Sequence, residues 1–284
     1  GGRSARLLPP GHPMTGTPDV SIIIPAYNEE ARLERTLRQA VEYFRASERA
    51  FELIVVDDGS RDRTSTVARE LAAEYSELRL IRLAANRGKG HAVRAGVLNA
   101  QGRYVLFADA DAATPFQEIE RLDAALASGA DVAIGSRAGE GSGVRVKKRF
   151  YRHIIGRTFH ALVSALTVRG IRDTQCGFKL FRGEVAQELF SRMRMNGFSF
   201  DVELLLIAQR RRYVIAEVPV NWTHQPGSRV NLMLDPLKMG RDLFIIRSHA
   251  LRGHYDEPHV QPLMPAGAPR ATPESVSSTA PAPR

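Results

Sequence analysis

Residues 104–111 read "YVLFADAD", an apolar run that ends in two aspartates separated by a single alanine. Aromatic and β-branched residues favour an extended strand, and polar residues mark where such a strand ends. Two carboxylates this close repel each other unless water or a cation lies between them. Asp109 and Asp111 therefore predict either a solvated turn that caps the next helix or a site for a hard divalent cation that also holds substrate phosphates.

The same arrangement recurs along the first half of the chain, where apolar runs end in polar residues and alternate with helical patterns. "VSIIIP" precedes residues 27–29, "FELIVV" precedes residues 57–60, and "DVAIG" precedes Ser136 and Arg137. Strands that alternate with helices predict a mostly parallel α/β sheet with right-handed crossovers. Because ligands bind beyond the carboxyl ends of such strands, these polar clusters predict one site at one edge of the sheet.

The composition is that of a soluble globular protein with a surplus of basic residues. Of 284 residues, 43% are hydrophobic and 25% are charged, and the formal net charge is +9. This surplus predicts an anionic partner: nucleic acid, a phosphorylated metabolite or an acidic membrane surface. Cys176 is the single cysteine, which excludes an intrachain disulfide framework, and we expect it to be a small packing residue rather than a nucleophile. No apolar run approaches the roughly 20 residues of a membrane-spanning helix.

Eight motifs in this order resemble those of a known enzyme family. "SIIIPAYNEEARL", "ELIVVDDGSRDRT", "NRGKGHAVRAG" and "FADADAATP" resemble the nucleotide-sugar-binding motifs of family 2 glycosyltransferases with the GT-A fold. "GSRAGEG", "GIRDTQCGFKLF", "GFSFDVELL" and "VPVNW" narrow the resemblance to the dolichyl- or polyprenyl-phosphate glucosyltransferase branch, which is related to dolichyl-phosphate mannose synthases. The resemblance implies an α/β, Rossmann-like GT-A fold with a mostly parallel sheet flanked by helices and with C-terminal amphipathic helices.

The resemblance divides the chain into four parts. We expect a GT-A catalytic domain over residues 19–225 and an amphipathic segment that associates with a membrane or an interface over residues 226–253. Residues 1–18 and the Pro-, Ala- and Ser-rich residues 254–284 are predicted to be disordered, because they carry too few apolar residues to offset the entropy of ordering.

The resemblance also implies the residues that bind the donor. Around the base and ribose it places Pro25, Ala26, Tyr27, Glu29, Asp57 and Asp58, and at the diphosphate end it places Asp109, Ala110 and Asp111. Mg²⁺ or Mn²⁺ is the implied cofactor, with Asp111 as the direct ligand and Asp109 on the metal, on a metal-bound water or on the ribose. Lys89 is either a phosphate contact or a solvated lysine. Ala113 stands where mannose synthases often carry a glutamine ligand, which disfavours GDP-mannose and leaves the third protein ligand of the metal unidentified.

A basic segment indicates where an anionic acceptor binds. Residues 143–152, "GVRVKKRFYR", contain five basic residues and no acidic one. An acceptor phosphate is already a nucleophile, so it needs positive charge to hold it in line rather than a strong base. We predict that Arg137, Arg149 and Arg152 bind this phosphate; a solvated helix end or a nucleic-acid patch is the alternative interpretation of the segment.

Residues near the acceptor are implied by resemblance as well. Asp173 and Gln175 are placed in the active site, beside the transferred sugar or the acceptor phosphate, and Asp173 is a candidate for positioning or for a base. Asp201 either caps the helix that begins near it or positions the acceptor loop. Trp222 either anchors the protein at a membrane interface or packs internally.

The C-terminal part of the folded region predicts how the protein binds to a membrane that contains a lipid substrate. "LDPLKMGRDLFIIRSHALR", residues 234–252, alternates apolar and basic residues at helical spacing. Such a helix suits an anionic membrane surface, and a homodimer contact is the alternative. We predict peripheral attachment to the cytoplasmic face of a membrane, without a transmembrane helix in this chain.

These expectations predict a metal-dependent, inverting hexosyltransferase. It would move glucose from UDP-glucose onto a polyprenyl or dolichyl monophosphate and give a β-linked product. The alternatives within the fold are UDP-GalNAc, UDP-galactose or GDP-mannose as donor, or a soluble acceptor. A non-catalytic nucleic-acid binder is a remote alternative, because only 7% of the residues are aromatic and the carboxylate clusters would repel phosphates; we therefore expect no nucleic-acid partner.

Overall fold

Strands and helices alternate in the first half of the chain, as the sequence predicts. The computed structural model describes residues 17–137, 146–147, 168–225 and 235–259. The strands of this half are β1 (Val20–Ala26), β2 (Phe51–Asp57), β3 (Leu78–Arg82), β4 (Tyr104–Ala108) and β5 (Val132–Ser136). Between them lie α1 (Leu33–Ala46), α2 (Thr64–Glu74), α3 (Lys89–Leu98) and, after a 3-10 turn at Phe116–Glu118, α4 (Ile119–Ala127).

The second half adds strands that the sequence did not predict. Its elements are β6 (Val146–Lys147), β7 (Phe178–Arg182), α5 (Gly183–Arg192), α6 (Phe200–Arg210), β8 (Ile215–Pro219), β9 (Trp222–Thr223) and α7 (Asp235–Leu251). Seven strands form one sheet in the order β3-β2-β1-β4-β7-β5-β8, and β6 pairs with β9 separately. β7 is antiparallel to both of its neighbours, whereas the other neighbouring strands are parallel.

The antiparallel direction of β7 matters for the site. A parallel strand leads out of the sheet at its carboxyl edge, but an antiparallel one enters there. Ala108, the last residue of β4, pairs with Phe178, the first residue of β7. The loop that precedes β7 therefore lies beside the residues that follow β4. Residues 173–177, "DTQCG", are thus close to residues 109–111, "DAD", at the same edge of the sheet.

Both faces of the sheet are buried, as the continuous apolar runs require. Along β1, Ile22 and Ile24 pack into one layer of the core, and Ile23 packs into the other. All three side chains are fully buried, and each contributes about 1.5–3 kcal/mol relative to an exposed position. The first layer is completed by α1, α2 and α4, and the second by α3, α5, α6 and α7.

The C-terminal helix is part of this core. Leu243 and Ile246 of α7 are fully buried, and Tyr255, just beyond the helix, is 1% exposed. Arg192 donates hydrogen bonds to the carbonyl oxygens of Tyr255 and Asp256, so the packed chain continues past the boundary predicted at residue 253. Residues 226–234 of the predicted amphipathic segment lie outside the described residues. Within the described ranges, no helix has the length and hydropathy needed to cross a membrane.

Candidate active site

A pocket of about 680 Å³ opens at the carboxyl edge of β1, β2 and β4. Its walls contain every residue predicted to bind the donor except Asp57: Pro25, Ala26, Tyr27, Glu29, Asp58, Lys89, Asp109, Ala110 and Asp111. Residues that the sequence did not single out complete the walls: Arg32, Asn86, Gly88, Ala92 and Phe198. The polar clusters that follow separate strands in the sequence thus converge on one concave site.

The end of β1 is held by the loop after β2. The backbone N–H of Asn28, a residue with a positive φ of 51°, donates to Ser60 Oγ at 2.8 Å. The next N–H, that of Glu29, donates to Thr64 Oγ1 at 2.6 Å. The Glu29 carboxylate forms an ion pair with Arg32, whose Nη2 lies 2.9 Å from Oε1. The pKa of Arg32 is raised, first by this hydrogen bond and further by the nearby charges of Asp111 and Asp109, which places a permanent cation in the pocket.

The two aspartates after β2 have different surroundings. Asp57 is fully buried and lies off the pocket wall; its Oδ1 accepts the N–H of Ser60 at 2.9 Å and so shapes the turn. Asp58 lies on the wall, and its carboxylate accepts the backbone N–H groups of Arg87 and Gly88 at 3.0 and 2.8 Å. Burial raises the pKa of Asp58. Asp58 therefore holds the glycine-rich turn in place beside the pocket, whereas the predicted donor contact of Asp57 has no counterpart on the wall.

The side chain of Lys89 extends from this turn to Asp109, the first aspartate of the pair. Its Nζ lies 2.7 Å from Asp109 Oδ1, and its side chain is only 21% exposed. Burial alone would lower the pKa of Lys89, but the charges of Asp109 and Asp201 outweigh burial and raise it. Lys89 is thus an ion-paired cation inside the pocket, and the alternative of a solvated lysine is wrong.

The second aspartate is held by its own turn. Asp111 Oδ1 accepts the N–H of Ala113 at 3.1 Å, and Ala112 between them has a positive φ of 49°. The Thr36 hydroxyl donates to the carbonyl oxygen of Ala110 at 2.8 Å and fixes the peptide between the two acids. Burial raises the pKa of Asp111, and the charge of Asp109 raises it further. The two carboxylates therefore repel each other in the pocket, and the solvated-turn interpretation does not describe them.

This carboxylate pair fits a divalent cation. Hard cations such as Mg²⁺ prefer oxygen ligands and commonly bind through one or two carboxylates together with substrate phosphates. A cation between Asp109 and Asp111 would relieve the repulsion seen in the raised pKa of Asp111. Among the described residues, no group of three or more His, Cys, Asp or Glu side chains converges on one point.

Arg137 and Asp173 form a second ion pair at the same edge. Arg137 Nε and Nη2 contact the two carboxylate oxygens at 2.8 Å each, and the backbone N–H of Arg137 donates to Oδ2 at 2.8 Å. Burial would raise the pKa of Asp173, but Arg137 outweighs burial and holds it at about 2. Because so weak a base cannot accept a proton at neutral pH, Asp173 orients Arg137, and its predicted role as a base is not supported.

The other residues predicted near the acceptor are distributed as follows. Arg137, Asp173 and Gln175 lie beside the pocket rather than on its wall, and Gln175 donates its backbone N–H to Asp173 Oδ1 at 3.3 Å. Arg149 and Arg152 lie outside the described residues. Two residues of their basic segment are described: Val146 pairs with Trp222, and Lys147 pairs with Thr223, whose N–H donates to Ala113 O at 2.9 Å. Residues 146–147 of the basic segment therefore lie next to the turn that holds Asp111.

Three further expectations have clear outcomes. Asp201 makes no capping hydrogen bond; it is buried in the first turn of α6 and pairs with Lys179, so the capping interpretation is wrong, and its positioning of the acceptor loop stays a prediction. Cys176 is fully buried and burial raises the pKa of its thiol to about 12, as expected of a packing residue. The Trp222 ring stacks on His224 and lies 5.6 Å from the Arg137 guanidinium, so it packs inside the site region.

Two missed residues had signals in the sequence. Gly177 directly follows Cys176, and a Cβ at this position would lie 1.9 Å from Asp109 Oδ2, so only glycine leaves room for that carboxylate. Phe198, which is 38% exposed, lies between a glycine and a serine in "GFSF", an unusual context for a core aromatic. Neither signal indicates the pocket by itself, because both depend on loops that arrive from the second half of the chain.

Comparison with known proteins agrees with this geometry. The sequence profile of Glycosyl transferase family 2 matches residues 21–190. The dolichyl-phosphate beta-glucosyltransferase of Homo sapiens is 41% identical over 250 residues, covering 84% of this chain and 77% of that protein. The enzyme of the same name from Saccharomyces cerevisiae is 39% identical over 254 residues, covering 83% and 76%.

Solved structures share the fold. Glucosyl-3-phosphoglycerate synthase from Mycobacterium tuberculosis, in complex with phosphoglyceric acid, superposes with a TM-score of 0.59 at 23% identity, covering 81% of this chain and 79% of that one. The same enzyme with Mn²⁺, UDP and glucosyl-3-phosphoglycerate gives 0.59 and 23%, covering 85% and 81%. The predicted α/β, mostly parallel GT-A fold is confirmed. With its sheet, its aspartate pair and relatives this similar over most of its length, the chain belongs to glycosyl transferase family 2.

Proposed function

We propose that the protein transfers glucose from UDP-glucose to dolichyl or polyprenyl monophosphate, releasing UDP and leaving a β-linked glycolipid. The observation that carries this proposal is the pocket in which Asp109 and Asp111 stand beside the cations Lys89 and Arg32. The substrates follow from the names of the relatives, which are dolichyl-phosphate beta-glucosyltransferases.

In this proposal the pocket wall binds the donor in two parts. Tyr27 and the neighbouring backbone of Pro25 and Ala26 contact the base, and Asp58 keeps the glycine-rich turn against it. Asp109 and Asp111 would hold Mg²⁺ or Mn²⁺, and the bound ion would supply positive charge to the leaving diphosphate. Lys89 supplies a second charge at the same place and holds the Asp109 carboxylate in its orientation.

The acceptor is an anion and attacks the sugar directly. The low pKa of Asp173 fits a reaction without a protein base, because a lipid monophosphate needs positioning rather than deprotonation. Arg137, oriented by Asp173, is proposed to hold the acceptor phosphate, with Arg149 and Arg152 of the basic segment. A single displacement from the face opposite to UDP inverts the anomeric carbon and gives the β-linkage.

A lipid acceptor implies contact with a membrane, and α7 carries a suitable surface. Phe244 and Leu251 are 62% and 75% exposed. They are seven residues apart and lie on one helical face, while Leu243 and Ile246 on a different face pack in the core. Arg241 and Arg247, both exposed, flank Phe244 by three residues on either side. Exposed apolar residues between cations suit an anionic lipid surface. Residues 226–253 are thus proposed as the part that attaches the catalytic domain, 19–225, peripherally to the cytoplasmic face of a membrane.

Vesicle binding separates this use of α7 from a homodimer. Phe244→Ser with Leu251→Ser should abolish sedimentation with anionic vesicles, and wild-type binding should weaken as salt rises. Val214→Ser is the matched control, because Val214 is a 56% exposed apolar residue outside α7. Binding that survives the double substitution, or a dimer that the substitution dissociates in light scattering, would reject the membrane role.

A donor and acceptor screen tests the reaction. The purified chain is offered UDP-glucose, UDP-galactose, UDP-GalNAc and GDP-mannose, each with a short polyprenyl phosphate or with phosphoglyceric acid, and the radiolabelled product is identified. We expect a glucolipid from UDP-glucose and none from Asp111→Asn. Product formed from phosphoglyceric acid alone would replace the lipid acceptor by a soluble one, and a product from GDP-mannose alone would overturn the donor.

A further inference from the structure

A buried ion pair lies just outside the pocket and has no part in the mechanism given above. The Lys179 side chain is fully buried, and that of Asp201 is 4% exposed. Removing two charges from water is costly, and well-packed apolar residues are often at least as stable in such a place. The pair therefore calls for an explanation other than stability.

Lys179 lies on β7, the strand next to β4, close to the aspartate pair that follows β4. In the register of β7 with β4, Lys179 stands opposite Phe107, two residues before Asp109. Its Nζ donates to Asp201 Oδ1 at 2.5 Å and to the carbonyl oxygen of Cys176 at 2.6 Å. It also lies 5.7 Å from the centre of the Phe107 ring. One ammonium group thus connects β4, α6 and the loop before β7.

The bond to Cys176 acts on Asp109 through the next residue. The carbonyl oxygen of Gly177 accepts the backbone N–H of Asp109 at 3.1 Å. The Cα of Gly177 also faces the Asp109 carboxylate, since a Cβ there would lie 1.9 Å from Oδ2. The peptide that Lys179 holds is therefore the surface against which the Asp109 side chain rests.

Asp201 affects the same carboxylate through Lys89. The Lys89 ammonium, which contacts Asp109 Oδ1, experiences the negative charges of both Asp109 and Asp201. It lies 5.1 Å from the centre of the Phe107 ring, the ring that Lys179 also approaches. Asp201 therefore attracts Lys89 as well as Lys179, and the two ammonium groups approach the same ring.

We infer that Lys179 and Asp201 are positioning residues for the proposed reaction: together they fix Gly177 and Lys89, which both contact Asp109, and so set the orientation in which this carboxylate would meet the metal and the diphosphate of the donor. Neither residue lies on the pocket wall. Their effect passes through the backbone of residues 176–177 and through Lys89. This inference rests on the proposed use of a nucleoside diphosphate with a divalent cation, and it does not depend on which sugar or acceptor is used.

The test replaces the pair by apolar residues of similar size. Lys179→Met with Asp201→Leu removes both charges, so neither is left buried alone and the fold is expected to persist. Calorimetry then measures the affinity for UDP with Mn²⁺ and with a chelator, after the wild type has been shown to bind. We expect the affinity with Mn²⁺ to fall at least tenfold and the affinity in chelator to change by less than threefold.

A matched control removes an ion pair elsewhere. Arg49→Met with Asp123→Leu deletes a pair whose side chains are 23% and 30% exposed, at the other edge of the sheet, and should leave both affinities unchanged. Wild-type Mn²⁺-dependent affinity in the Lys179/Asp201 variant, or equal losses with Mn²⁺ and with chelator, would overturn the inference. Failure of the wild type to bind UDP with Mn²⁺ would instead refute the proposed function.

A second variant keeps the inference testable should the double variant unfold. Asp201→Asn retains the shape and a hydrogen bond to Lys179 but removes the negative charge that acts on Lys89. We expect at least a threefold loss of affinity for UDP with Mn²⁺, measured below the unfolding midpoint of the variant, and no change in the acceptor KM. An unchanged affinity in this folded variant would also overturn the inference.

Discussion

The two ion pairs at the carboxyl edge of the sheet, Lys89–Asp109 and Arg137–Asp173, join the same kinds of group in different surroundings. Asp109 has a side chain that is 35% exposed, and Lys89 contacts one of its oxygens. Asp173 is 9% exposed, and Arg137 contacts both of its oxygens and adds a backbone N–H. The first carboxylate retains an accessible oxygen on the pocket wall, whereas the second is saturated by its partner.

This contrast indicates which of the two carboxylates can take part in the proposed reaction. Asp109 has an accessible oxygen, a neighbouring acid and a single paired cation. It can therefore change partners when the proposed metal and diphosphate bind. A carboxylate in a bidentate pair has fixed partners, because each lost charge-assisted hydrogen bond costs about 1.5–3 kcal/mol. We therefore expect substitutions in the first pair to affect catalysis and those in the second to affect stability and the acceptor.

The largest effect is expected at Asp109. Asp109→Asn keeps the shape of the side chain but removes the charge that a divalent cation requires, so kcat should fall by roughly a thousandfold. Calorimetry of UDP with and without Mn²⁺ checks the cause, because the stimulation by Mn²⁺ should disappear. Metal-stimulated UDP binding that equals the wild type would show that Asp109 is not part of the metal site.

A smaller loss is expected at the other member of this pair. Lys89→Met removes one positive charge from the diphosphate end and leaves Asp109 without its cation, so kcat/KM for the donor should fall by about ten- to a hundredfold. The acceptor KM, measured at saturating donor, should stay the same. Lys238→Met, an exposed lysine of α7, is the control for a general loss of positive charge.

The second pair should respond in the opposite way. Asp173→Asn leaves Arg137 without its counter-charge, and we expect the acceptor KM to rise about tenfold because the guanidinium loses its fixed orientation. The affinity for UDP should be unchanged. If the variant instead lost UDP binding and kept the acceptor KM, Arg137 would belong to the donor half of the site.

The smallest effect concerns stability against pH. The folded-state pKa of Asp173, about 2, lies below its ordinary value of 3.8, so its stabilisation is present above pH 4 and is lost as the pH falls toward 2. The shift corresponds to about 2 kcal/mol. Urea unfolding should show the wild type more stable than Asp173→Asn by about this amount at pH 6, with the difference vanishing near pH 2. A difference that persists at pH 2 would have another origin.

The sequence predicted the first half of the molecule better than the second, for a physical reason. Each parallel strand there carries its own polar loop at its carboxyl end, so local pattern and final position agree. Asp109, Asp111 and Lys89 were therefore found from their place after a strand or before a helix. Asp57 was misplaced because adjacent residues of a strand point to opposite sides, and the sequence does not show which of the two aspartates reaches the pocket.

The second half depends on contacts that a local pattern does not contain. "FKLFR" was not predicted as a strand, and a lysine in it gives no sign that this position is buried, whereas Lys179 is buried against Asp201. The roles of Gly177 and Asp201 were missed in the same way, because they depend on Asp109 and Lys89, which lie far earlier in the chain. The pairing of Arg137 with Asp173 was missed for this reason too.

The place of β7 between β4 and β5 also limits how the enzyme can move. Backbone hydrogen bonds tie β7 to Tyr104–Ala108 on one side and to Val132–Ile134 on the other. A hinge between the two halves of the chain would have to break one of these ladders and leave buried backbone N–H and C=O groups without partners. We therefore expect the proposed donor to enter, and the proposed UDP product to leave, without a change in the pairing of these three strands.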